Sequence, residues 1–101
     1  MGSWQTASRE RAALAADELA DSLVEKAKSS ELWKEVGFDL YYMSRFRHLR
    51  ELWEGRTDDL ASLLDPWQAS VHLFYLSSAR RLTQDWNGTL EVLEKMDEVA
   101  A

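Results

Sequence analysis

Apolar residues recur every three or four positions along most of the chain, and no stretch alternates with period two. That spacing specifies amphipathic helices rather than strands. The first helix is expected over residues 6–28. Ala12, Ala16, Leu19, Leu23 and Ala27 form its apolar face, widened by Ala20 and Val24. Lys26 and Lys28 suit the negative end of the helix dipole, and Ser29-Ser30 supplies a break with a ready N-cap. A second helical region covers residues 31–54. Its stripe is Leu32, Val36, Leu40, Met43, Phe46, Leu49 and Trp53, broadened by Trp33, Tyr42 and Leu52. Gly37 either sits inside this helix at a cost of about 1 kcal/mol or caps it, with Asp39 starting a new one. Gly55 ends the region in both cases.

Thr57, followed by Asp58 and Asp59, reads as the N-cap of a short helix carrying Leu60, Leu63 and Leu64. Asp65-Pro66 is the sharpest local signal, a capping carboxylate followed by proline at the first helical position. The helix it starts should run over residues 66–86 with Trp67, Val71, Phe74, Ala79, Leu82 and Trp86 inward. Leu73, Tyr75 and Leu76 make the same helix apolar on more than one face. Asn87-Gly88 then marks a stop, and Thr89 caps a last segment with Leu90, Leu93, Met96 and Val99. The expected fold is all-α, a compact bundle of four to five helices forming a single domain over residues 1–101. Its short connections make neighbouring helices antiparallel. Residues 1–5 are read as a tag remnant or frayed end.

Composition narrows the chemistry. The chain has no cysteine, so disulfides, thiolate metal sites and cysteine nucleophiles are excluded. No apolar run reaches the length of a membrane span and no signal-peptide core is present, so a cytoplasmic protein without membrane contact is expected, with secretion lacking a cleaved signal as the alternative. The two histidines, His48 and His72, fall on different helices and lack the Glu-x-x-His spacing of a bundle metal site. Their bland reading is one partly exposed histidine beside arginines and one hydrogen-bonded at the core edge. The carboxylates Asp17, Glu18, Asp21 and Glu25, and likewise Glu91, Glu94, Asp97 and Glu98, fall on polar helix faces rather than in an enclosed site. With no phosphate loop, nucleophile elbow or zinc spacing, neither an enzyme nor a cofactor is expected.

Positive charge is concentrated at Arg45, Arg47 and Arg50, supplemented by Arg80 and Arg81. With Tyr41, Tyr42 and Phe46 interleaved, these arginines are candidate contacts for an anionic partner, and a helical nucleic-acid-binding module is one alternative function. A net charge of −6 disfavours it. The competing reading is pairing within the chain, through Arg47–Glu51 and Arg50–Glu54 or by docking on the acidic first or last helix. The aromatic stretches Phe38–Tyr42 and His72–Tyr75 are read as core or as the lining of a small-molecule pocket.

Five tryptophans in 101 residues are the remaining outlier. Trp favours interfaces, and a chain this short has limited interior. Trp53, Trp67 and Trp86 are assigned to architecture, which leaves Trp4 and Trp33, with Tyr41, Tyr42 and Tyr75, as the candidate protein interface. Trp53-Glu54-Gly55 resembles the W-x-G turn of the WXG100 family. The resemblance implies a secreted helical hairpin of the type VII systems, typically dimeric. Pro66 interrupts where that family's second long helix would run, and residues 89–101 hold no Y-x-x-x-[DE] signal. The function expected is non-enzymatic protein–protein interaction, by a small acidic regulator, inhibitor, immunity-type protein or assembly subunit that self-associates as a dimer.

Overall fold

The computed structural model describes the backbone of residues 2–63 and 65–100, and the side chains within that span from residue 6 onward. It is all-helical among the described residues. Six helices follow one another: α1 (Gly2–Ala27), α2 (Trp33–Tyr42), α3 (Phe46–Leu52), α4 (Thr57–Ala61), α5 (Pro66–Leu82) and α6 (Trp86–Ala100). The count exceeds the expected four to five because residues 31–54 break at Ser44 and not at Gly37. Ser44 adopts the left-handed conformation at φ 57°. Its amide donates to the Tyr41 carbonyl while the Arg45 amide donates to that of Leu40, the paired bonds of a Schellman stop.

The same device ends α5. Gln84, at φ 64°, turns the chain after Leu82, with its amide on Arg81 O and the Asp85 amide on Arg80 O. Trp86 therefore opens α6, whereas the sequence pattern has it closing α5. Asp85, not Thr89, caps α6: its Oδ1 accepts from the Gly88 amide at 2.9 Å. Gly88, expected as a stop, lies inside the helix. At α5 the proline signal holds, with Asp65 Oδ1 accepting from the Trp67 amide and Pro66 in the first turn. Gly55, at φ 73°, turns the chain between α3 and α4, whose first residue is Thr57. The two-helix hairpin implied by the W-x-G resemblance is not the fold observed.

The core is built around Trp53, Leu40, Leu49, Leu60, Leu73, Leu76 and Val92, all fully buried. Gly37 is buried in mid-α2 because the Trp53 indole lies against its backbone, where a β-carbon would collide with Cζ2, Cε2 and Nε1 of the ring. The indole N–H donates to the Trp33 carbonyl at 3.0 Å. Trp33 itself meets Trp53 edge to face and is covered on its other side by the Arg56 guanidinium, 4.4 Å from the ring centre. α1 reaches this core only through its second half, by way of Ala20, Val24 and Ala27; Leu19, expected inward, is about half exposed. Residues 6–15 are exposed throughout, so the helix projects beyond the globule. The Cα radius of gyration is accordingly 15.3 Å, above the roughly 13 Å of a compact chain of about 100 residues.

Candidate interaction face

α5 and α6 form an antiparallel hairpin closed by the tight turn at Thr83, Gln84 and Asp85. α5 presents Ala69, His72, Leu73, Leu76 and Ala79 to the core. The stripe read from the sequence as inward, Trp67, Phe74 and Leu82, points out instead. Both stripes have helical period, and the choice between them goes to the one whose smaller residues let α2, α3 and α4 approach closely. Large rings at 67 and 74 would hold those helices off. α6 repeats the arrangement: Gly88, Thr89 and Val92 are buried, while Trp86, Leu90 and Leu93 stand outside. Of these, Trp86 is the one expected inward, on the helix that starts at Pro66.

Part of this outward surface forms a groove between the two helices. Trp67, Ser70, Val71, Phe74 and Tyr75 line a shallow apolar groove closed from α6 by Met96, and Leu93 lies one turn before Met96. Trp67 is 74% exposed, Trp86 61% and Leu90 59%. Phe74, Leu82 and Leu93 are 51%, 48% and 42% exposed.

The tyrosine candidates cluster beside this face. Tyr41 is partly buried and stacks on Tyr75 with ring centres 4.2 Å apart. Tyr42 is as exposed as Trp67, and its hydroxyl lies 3.3 Å from that of Tyr75. That hydrogen bond, with partial burial, raises the Tyr75 phenol above its ordinary range. The stretches read as core or pocket lining meet and fill the space between them: Phe38 packs on His72, Tyr75 and Trp53 at centroid distances of 4.4, 5.1 and 6.5 Å. Trp33 is held in the core as described above. The Trp4 side chain lies outside the described residues.

The arginine candidates are mostly engaged within the chain. Arg45 Nε lies 3.0 Å from Asp17 Oδ1, close but not aligned as a hydrogen bond. Arg50 donates to Thr83 Oγ1 at 2.9 Å and to Asp85 Oδ2 at 2.8 Å, pinning α3 to the α5–α6 turn. Arg80 donates to the Gly88 carbonyl at 3.0 Å and reaches Glu91 at 3.4 Å. The i, i+4 pairs with Glu51 and Glu54 are not the ones formed; docking on α1 and on the start of α6 is. Arg47 and Arg81 are exposed, with no ion pair among the described residues. The histidines follow the same pattern. His48 Nε2 meets Asp21 Oδ1 at 2.7 Å, and His72 Nδ1 lies 2.6 Å from the Gln68 carbonyl. On the far side of α6, Lys95 sits between Glu98 and Asp58, whose hydrogen bonds hold its ammonium above the usual range.

Among the described residues, no three His, Asp or Glu side chains converge as a metal site, and no helix is long and apolar enough to cross a membrane. Compared with known proteins, the chain matches no family model, no curated protein and no solved structure. The α5–α6 face was missed in the sequence because its residues were assigned to the core. The available signal was the apolar character of residues 66–86 on two faces at once, since one helix in a chain this small can bury only one of them.

Proposed function

We propose that the protein works by binding another protein, without catalysis, through the outward face of the α5–α6 hairpin. The observation that carries this reading is the exposure of Trp67, Phe74 and Leu82 on α5 and of Trp86, Leu90 and Leu93 on α6, with Trp67 and Phe74 lining an apolar groove that Met96 of α6 closes. Exposing that much apolar surface costs free energy in solution, and covering it recovers about 25 cal/mol per Å². Rigid aromatic anchors at both ends, Trp67 and Trp86, are the residue type that dominates interface energetics. The internal pairing of Arg45, Arg50 and Arg80 weighs against a phosphate-binding surface, because each contact with nucleic acid would first have to break an existing bond. A small regulator, inhibitor or assembly subunit fits these properties.

A photo-crosslinking amino acid in place of Phe74, compared with the same group in place of exposed Glu18 on α1, tests the reading. Protein adducts at position 74 and none at position 18 are expected. Equal labelling at the two positions would contradict it.

A further inference from the structure

We infer that the second half of α1 is a releasable strap, held to α3 by a clasp of charges. Residues 17–27 separate from α2 and α3 while the other helices stay folded, pivoting at the turn over residues 28–32. The first observation is how little apolar surface attaches it. α1 touches only α2 and α3. It buries Ala20, Val24 and Ala27, with Leu23 partly covered, and supplies none of the large fully buried side chains. Stabilisation by burial grows with apolar area, of which two alanines and a valine carry little. Among the described residues, no backbone hydrogen bond joins residues 17–27 to another helix. Lifting the strap therefore breaks no backbone bond between elements, which suits a segment that opens below the global unfolding free energy.

The remaining attachment is ionic and open to solvent. Asp17 Oδ1 lies 3.0 Å from Arg45 Nε, Asp21 Oδ1 lies 2.7 Å from His48 Nε2, and Lys28 Nζ lies 3.2 Å from Glu51 Oε1. The Asp17 and Asp21 side chains are each more than half exposed. An open groove of about 630 Å³ runs along Asp17, Asp21, Arg45 and His48, so water and salt reach these contacts. Exposed pairs contribute little each and weaken as salt rises.

The third observation is that the helix is anchored at one end only. Arg56 Nη2 donates to the Lys28 carbonyl at 2.6 Å while its guanidinium rests on Trp33, which fixes the pivot to the core. Residues 6–15, at the other end, are exposed throughout. A helix fixed at its C-terminal end, free at its N-terminal end and clasped between by screened charges is built to lift as a lever.

The chain has no cysteine, so one introduced thiol is a unique probe of opening. Ala20→Cys places it beneath the strap and Ala79→Cys places it in α5, both positions being fully buried. An aromatic disulfide reagent should label position 20 roughly tenfold faster than position 79 in the same buffer, because only the latter waits for global unfolding. Raising salt from about 0.05 to about 0.5 M should speed position 20 about threefold relative to position 79. Asp17→Asn with Asp21→Asn, added to Ala20→Cys, should give about the same acceleration at low salt and remove most of the salt response. Val24→Cys replaces the first probe if circular dichroism shows that Ala20→Cys has lost helix. Equal labelling of strap and α5 thiols overturns the inference, since α1 would then leave only with the whole fold. Faster labelling of the strap that responds neither to salt nor to the asparagine pair overturns the clasp.

Discussion

The indole of Trp53 occupies the space that a side chain at position 37 would need. Glycine in mid-helix ordinarily costs about 1 kcal/mol. Here the cost is offset by a fully buried tryptophan whose N–H is satisfied by the Trp33 carbonyl. Gly37→Ala should therefore destabilise the protein, despite its better helix propensity, by about 2 kcal/mol of overpacking. The β-carbon would collide with Cζ2, Cε2 and Nε1 of the indole. In a Trp53→Leu background, where those ring atoms are absent, the same substitution should cost far less. Denaturant unfolding of the four proteins, read as a double-mutant cycle, checks the coupling.

Ser44 and Gln84 close α2 and α5 in the left-handed conformation, and both are exposed. Non-glycine residues hold that geometry at a cost of about 1 kcal/mol. Ser44→Gly and Gln84→Gly should each raise stability by about 0.5–1 kcal/mol, seen as a higher urea midpoint at an unchanged slope. No gain at either site would show that the turns are fixed by something other than backbone preference.

These same residues explain what was legible in the sequence. The helical class, the break at Ser29-Ser30 and the start at Asp65-Pro66 follow from local chemistry, because spacing, caps and proline act within a few residues. Gly55 likewise makes the turn read for it, but the breaks at Ser44 and Gln84 were not readable, because there glycine and the stop signal had exchanged places. Gly37 and Gly88 lie inside helices for packing and capping reasons, while Ser44 and Gln84 make the turns. The helix faces were legible where only one was apolar, as in α3, and misassigned in α5 and α6, where two were. The outward residues of α5 and α6 were hidden by that ambiguity.

Asp85 serves two helices at once, with Oδ1 capping α6 through Gly88 and Oδ2 accepting from Arg50 on α3. Asp85→Ala should cost about 2–3 kcal/mol, since both a cap and a charge-assisted bond are lost. Asp85→Asn keeps the capping oxygen and should cost distinctly less. Gly88→Ala should resemble the weaker of the two, because its β-carbon crowds the same carboxylate. Thermal unfolding of the three variants ranks them.

The Tyr75 phenol is raised above the ordinary value of 10.0 by its hydrogen bond to Tyr42 and by burial. A group whose value is higher folded than unfolded contributes stability that is complete below the unfolded value. That contribution disappears as pH climbs through the folded one. The protein should therefore lose stability in the alkaline range above pH 10, and Tyr42→Phe should move the Tyr75 titration back down. Near-ultraviolet absorbance during a pH titration resolves the shift, and an unchanged curve in Tyr42→Phe would contradict the assignment.

The most direct measurement is the set of indole N–H resonances followed by NMR as protein concentration rises. If the α5–α6 face is the one that becomes covered, the signals of Trp67 and Trp86 move or broaden with concentration, while those of Trp53 and Trp33, held in the core, stay in place. Signals from Trp67 and Trp86 that remain fixed while the chain self-associates would place the interface elsewhere on the molecule.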